Sequence, residues 1–319
     1  MQNRKLVFLG LIINVILTGC GGGSSSSSSN TNSASNDSGT NNSTTPTVSL
    51  TIPFQAKSGS TDINCGATLT ALGTTGDSAK INDFAFYIHN IKFKTNTGTT
   101  ITTTLDDNNF QDPIYGVALL DFQDKTDSCK GATKTTNKVV MLKATVDITT
   151  ITGIEFTVGI PEAANHHNAS ISRAPYNRSG LFWSWQSGHK FMRLDVDPSK
   201  LVTKPDLTTG TTFFFHLGST ACTGDPTTGQ VVSCIYPDRP VIALNSGFSV
   251  TNNTTSTIVL DYARLVDGVN INYETDGKPY GCMSGQADPE CPVIFNNLGM
   301  THSLNNITNP QQQVFSVQN

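Results

Sequence analysis

Apolar and polar residues alternate along much of this chain. The alternation is clearest over residues 48–54, 84–93, 153–160, 190–196, 212–217 and 256–262. A period of two puts successive side chains on opposite faces of a strand, so each run reads as a half-buried β-strand. Clusters of Gly, Asn, Asp and Thr separate the runs and supply turns. Long stretches with a helical period are absent; only residues 161–168 and 262–266 read as short helical pieces. The pattern predicts an all-β, disulfide-stabilised, β-sandwich-like single domain over residues 48–319, with no internal repeat.

Composition narrows the setting. Charged residues make up 14% of 319 positions, and the net charge is −4. A nucleic-acid binder would carry a basic face, which this balance argues against. The first residues, MQNRKLVFLGLIINVILTGC, place Arg4 and Lys5 ahead of an apolar run that ends in Leu17-Thr18-Gly19-Cys20. The run is shorter than the roughly 20 residues a spanning helix needs. It resembles a bacterial lipoprotein signal, residues 1–19, with cleavage before Cys20 and acylation of its thiol. Acyl chains tether a protein without spanning the bilayer. Residues 20–47, rich in Ser, Gly and Asn, lack the apolar surface to offset ordering and read as a flexible linker. The expected location is therefore the bacterial cell envelope, on a membrane-anchored chain facing the periplasm or carried by the outer membrane.

Of seven cysteines, the anchor removes one. The remaining six, Cys65, Cys129, Cys222, Cys234, Cys282 and Cys291, suit three disulfides in an exported chain. The pairing expected is Cys65–Cys129, Cys222–Cys234 and Cys282–Cys291. No C-x-x-C spacing occurs, which disfavours thiol redox chemistry and a thiolate zinc site.

Candidate chemistry gathers where His and Trp gather. G-x-S-x-G, P-loop, H-E-x-x-H and C-x-x-C-H motifs are all missing, and no nucleophile–base spacing emerges, so an enzyme is not expected. One piece ends in Asn165-His166-His167-Asn168. A second, Leu181-Phe-Trp183-Ser-Trp185-Gln-Ser-Gly188-His189, holds both tryptophans of the chain, two residues apart and therefore on one face of a strand. A third, Phe213-Phe-Phe-His216-Leu, puts an imidazole on an apolar strand. Such a ring needs a hydrogen-bond partner or a metal. Read singly, each His is more often a satisfied core or surface residue, and a Trp pair is more often core or a glycan-stacking platform. Asp83, Asp121 and Asp195, expected at strand ends, offer oxygen donors for Ca2+, though turn and strand-edge hydrogen bonding is the commoner use of such residues.

Taken in order, Asn165-His166, then Phe182-Trp-Ser-Trp-Gln-Ser-Gly-His-Lys-Phe-Met-Arg-Leu-Asp195, then Phe215-His-Leu-Gly-Ser-Thr-Ala-Cys222 resemble the MbnP family, the metallo-mystery pair four-Cys-motif proteins of bacterial copper homeostasis. Phe54-Gln-Ala, Cys65-Gly66, Ile81-Asn-Asp-Phe-Ala-Phe-Tyr-Ile, Leu119-Leu-Asp-Phe122 and Val158-Gly-Ile-Pro161 fit as well. The resemblance covers nearly all of residues 48–300. It implies a periplasmic protein that binds copper, as Cu(I), and is paired with a dihaem MauG-like peroxidase that oxidises a Trp towards kynurenine. Carried over, His166 and His216 are the ligand candidates, and Trp183 and Trp185 the candidates for oxidation, with no choice between the two. His189 stands where the family usually has Tyr and is either an additional ligand or a surface substitution. A rival reading, without metal, is an envelope lipoprotein that binds a glycan or a protein on its Trp platform.

Overall fold

A computed structural model describes residues 45–319 apart from 185, 226, 227, 229, 231, 277, 278 and 306. The expected leader, Cys20, nearly all of the linker, and Trp185 therefore lie outside the described residues. Thr44–Asn319 forms one compact unit, and its principal elements are strands. These are β1 (Thr47–Ser58), β2 (Asp77–Thr95), β3 (Val117–Asp121), β4 (Val139–Thr145), β5 (Ile151–Val158), β6 (Met192–Pro198), β7 (Phe213–Leu217), β8 (Val241–Leu244), β9 (Thr257–Asp261) and β10 (Phe315–Gln318).

The strands form two sheets. In the first, β1 runs antiparallel to β4 on one side and parallel to β9 on the other, and β10 pairs antiparallel with β9. In the second, the order is β8–β5–β2–β6–β7, with Gly281–Cys282 beyond β7. The sheets meet face to face through aromatic side chains. Phe54 of β1 meets Phe86 and Phe156 edge-on, with ring centroids 6.2 and 5.9 Å apart. Phe315 of β10 meets the same two rings at 5.9 and 5.4 Å. These T-shaped contacts between large apolar rings fix the spacing of the sandwich. Three disulfides are present, Cys65–Cys129, Cys222–Cys234 and Cys282–Cys291. The chain is thus the disulfide-stabilised all-β protein that its alternation predicts.

The second sheet positions the candidate chemistry. At both ends of β2, buried and more open positions alternate, but residues 83–88 are all buried. Unbroken burial means that both faces are covered there. Phe84 and Phe86 point into the sandwich. By the strand period, Asp83, Ala85 and Tyr87 point the other way, as do Arg193 and Asp195 of β6 and Phe214 and His216 of β7. The segment between β5 and β6 covers this outer face. It is laced to β2 at both ends: Gly159 N–H donates to Tyr87 O, and Tyr87 N–H to Phe191 O. The Tyr87 hydroxyl donates to Pro175 O within the same segment.

The two short helices fall near where the sequence puts them, α1 at Glu162–Asn165 and α2 at Tyr262–Leu265. A third, α3 at Cys291–Asn297, has no helical period in the sequence; Pro292 opens its first turn, where a missing N–H costs nothing. β3 also escapes a period-two reading, because all five of its residues are buried.

Candidate metal centre

The centre of the outer face is a charged chain of contacts. Asp83 and Asp195 sit directly opposite one another on β2 and β6, an arrangement that repels unless something neutralises it. Arg193 does so: its Nη1 lies 2.9 Å from Asp83 Oδ2 and its Nε 2.7 Å from Asp195 Oδ2. Lys125 adds a second cation to Asp83. The free oxygen of Asp195, Oδ1, lies 2.9 Å from His216 Nε2, and Asp195 is fully buried. A carboxylate only accepts, so Nε2 carries the ring proton and Nδ1 keeps its lone pair. Burial holds the His216 pKa below its ordinary value, Lys190 and Arg193 push the same way, and Asp195 opposes them. The result is a neutral imidazole of fixed tautomer, the form a metal requires.

Trp183 packs beside this ring, with centroids 6.4 Å apart and planes tilted by 55°. It belongs to a small hairpin in which 182–184 pairs with 188–189. Two glycines let the hairpin dock. Gly188 has φ +77°, and a Cβ there would strike the Asn165 side chain at 2.6 Å. A Cβ on Gly218 would lie 2.5 Å from Trp183 Cζ3 and 2.9 Å from His189 O. The exposed side of Trp183 borders a groove of about 500 Å³ shared with Gln186, Ser219, Thr220 and Met283.

Asn165, fully buried at the end of α1, ties the hairpin to the neighbouring histidines. Its Oδ1 accepts the His189 backbone N–H at 3.0 Å, and its backbone O lies 2.7 Å from His189 Nδ1. Its amide Nδ2 lies 3.2 Å from His166 Nε2. An amide nitrogen only donates, so against this partner His166 Nε2 accepts and its lone pair is occupied. The same atom is 3.5 Å from Glu162 Oε1 and 3.6 Å from Cys234 Sγ.

Each residue singled out in the sequence can now be placed. His216 and Trp183 are in contact. His166 sits beside the Cys222–Cys234 bridge, 9% exposed at its side chain. Its grouping with those two sulfurs offers no thiolate, because both are oxidised. His189 is not a surface residue: it is fully buried, with Nδ1 on Asn165 O and Nε2 3.1 Å from Tyr176 O. Both of its nitrogens face backbone carbonyls, and the neutral ring that burial favours donates to one of them, which holds the segment there. Among the described residues, no cluster of ligating atoms within 4.8 Å of one another combines His166 with His216 or His189. Asp83 and Asp195 lie within strands rather than at strand ends, and both, like Asp121 with Lys134, are paired to cations, which leaves no oxygen cradle for Ca2+ at these three. His302, 4% exposed, is a core residue whose Nε2 meets Gly285 O. Asn165, Arg193, Gly218 and Met283 carry no mark in the sequence that singles them out for this site. The pairing of Asp195 with His216 follows from strand register, which sequence spacing does not give.

Comparison with known proteins bears on the family and the fold. The family model MbnP matches residues 47–284, a span that includes His166, Trp183, Asp195 and His216. A search of curated protein sequences gives no match. Among solved structures, MbnP from Methylosinus trichosporium is similar, with 26% sequence identity and a TM-score of 0.73, over 86% of this chain and 99% of that one. With the family model covering well over half of its length, the chain belongs to the MbnP family.

Proposed function

We propose that this protein binds copper, as Cu(I), in the bacterial cell envelope, held to a membrane through an acylated Cys20. In this reading it is a substrate of a dihaem MauG-like peroxidase rather than an enzyme itself. One observation carries the proposal: the indole of Trp183 packs beside the imidazole of His216, with ring centroids 6.4 Å apart and planes tilted by 55°, and His216 Nε2 is tied to buried Asp195. Membership of the MbnP family supports it.

The donor chemistry fits. All six cysteines of the domain are oxidised, so imidazoles are the soft-to-borderline donors at hand, and Cu(I) accepts them at low coordination number. His216 Nδ1 carries a lone pair, and His166 Nε2 would exchange its hydrogen bond from the Asn165 amide for the metal. Met283 borders the same groove as Trp183 and adds a thioether within the region. An intact indole has an N–H and no lone pair to give. Oxidation changes that. Two molecules of hydrogen peroxide, each reduced to water, supply two oxygen atoms that cleave the indole C2–C3 bond. Hydrolysis then releases formate and leaves kynurenine, with an aniline nitrogen and a carbonyl. Trp183 is the residue assigned to this step, because its ring touches the candidate ligand.

The test is co-expression with the peroxidase, followed by mass spectrometry of the Trp183 peptide and Cu(I) titration. The expected result is two added oxygens, or the kynurenine mass, at Trp183, with one copper bound. His216→Ala and His166→Ala should lose that copper, and His302→Ala should keep it. An unmodified Trp183 together with no copper uptake would sink the proposal. Glycan or partner binding that survives chelators and both His substitutions would favour the Trp-platform reading instead.

A further inference from the structure

On the far side of Gly281–Cys282 from this centre lies a group of carboxylates that the copper reading does not use. Glu274, Asp276 and Glu290 each place an oxygen within 4.8 Å of the others. Glu274 is fully buried. Its Oε2 accepts the Gly281 backbone N–H at 2.8 Å, and its Oε1 has no hydrogen-bond partner. Glu290 repeats the pattern. Its Oε1 accepts from the backbone N–H and the hydroxyl of Thr275, at 2.8 and 2.5 Å, and its buried Oε2 is also orphaned. Neither glutamate has an ion-pair partner among the described residues.

A buried carboxylate oxygen without a donor loses its hydration for no return, a cost proteins avoid unless something else fills the position. Here two such oxygens occur in one cluster with a third carboxylate. Burial raises the pKa of Glu274 to about 8, and Glu290, a hydrogen bond with Asp276, and Asp288 add to it, so the cation-free cluster holds a proton at neutral pH that a bound cation would displace. Three carboxylates, with one oxygen of each glutamate already pinned by backbone N–H groups, form a preorganised hard-oxygen cradle. Asp276, on the exposed side, leaves an opening for water ligands. Ca2+, which takes six to eight oxygens at flexible geometry, matches that donor set better than a soft ion or Mg2+.

We infer that Glu274, Asp276 and Glu290 form a Ca2+ site of this protein. The site is separate from the candidate copper ligands, and Glu290 lies beyond the last residue of the family match. Its position suggests what the ion does. Glu274 holds Gly281, and Gly281–Cys282 is the edge strand beside β7. Two residues further on, the Ser284 hydroxyl donates to His216 O and accepts from Gly218 N–H. A cation at the cluster therefore braces the segment that supports His216 and the glycine beneath Trp183.

The experiment uses the intact protein, stripped with a chelator and titrated with CaCl2 alone by calorimetry, with melting followed in parallel. One equivalent of Ca2+ is expected to bind with a dissociation constant of about 10⁻⁴ M or tighter, and to raise the melting temperature. Glu274→Gln should abolish this binding. Asp276→Asn, an isosteric change at an exposed position, should weaken it by about tenfold, since affinity follows the number of charged ligands. Failure of the wild-type protein to take up Ca2+, or equal uptake by the wild type and Asp276→Asn, would overturn the inference. Neither result bears on copper, which is read in a separate titration.

Discussion

Asp195→Asn tests the logic of the metal centre with the smallest change of shape. The carboxylate accepts two hydrogen bonds, from His216 Nε2 at 2.9 Å and from Arg193 Nε at 2.7 Å. An amide offers one accepting and one donating end, so it cannot serve both. Arg193 can only donate, whereas a neutral imidazole can exchange tautomers. The favoured arrangement turns the amide oxygen to Arg193 and the NH2 to His216 Nε2. The ring proton then moves to Nδ1, the atom assigned to copper. Disturbing the partner that orients a ligand histidine typically costs 10- to 100-fold in metal affinity. Those factors correspond to about 1.4 to 2.7 kcal/mol. The assay is Cu(I) competition against a chromophoric chelator under reducing conditions, on protein matured with the peroxidase, with 15N NMR of His216 reporting the tautomer. Urea unfolding serves as the control: loss of a charge-assisted hydrogen bond from this network should cost about 1.5 to 3 kcal/mol and leave the protein folded. A variant whose His216 tautomer switches while Cu(I) affinity stays unchanged would show that Nδ1 is not a ligand.

Two further outcomes follow from the geometry. Burial, aided by Arg239 and opposed by a hydrogen bond to Gly159 O, lowers the His89 pKa from 6.5 to about 4. The unfolded chain then binds this proton more readily, so His89 should subtract about 1.4 kcal/mol of stability per pH unit as pH falls from 6.5 to 4; urea melts across that window should show a shallower slope for His89→Gln, and identical slopes would refute the assignment. Gly218→Ala inserts a methyl 2.5 Å from Trp183 Cζ3, so it should cost about 1 to 3 kcal/mol, shift the indole emission and lower copper affinity, and an unchanged spectrum with unchanged affinity would mean that the ring does not rest there.

The sequence carries most of the sandwich and only part of the centre. Strands with one wet face announce themselves, as β1 does, because its inward side chains alternate with polar ones. β3 is covered on both faces and leaves no alternation to read, and β4 hides its period because Met141 and Val139 put apolar side chains on the outward face. Among the candidate ligands, His166, Trp183 and His216 are visible as rare residue types in a chain poor in them. Their surroundings are not. That His216 meets Asp195 depends on the register of β6 against β7, and that His189 is spent on two backbone carbonyls depends on how the segment between β5 and β6 folds back. The carboxylate cluster is equally silent in sequence, since acidic residues in loops usually face solvent and only burial makes these informative.

The way that segment is attached has a consequence for how a bulky redox partner could reach the indole. Asn165, His166, Trp183 and His189 all ride on one excursion from the second sheet, while the aromatic contacts that join the sheets lie on the opposite side of β2. Lifting the excursion breaks backbone and amide hydrogen bonds and uncovers Tyr176, Leu181 and Phe191, but leaves the inter-sheet aromatics in place. The free energy of local opening is thereby uncoupled from that of global unfolding, and hydrogen exchange at the amides of 182–189 should outpace exchange in β2.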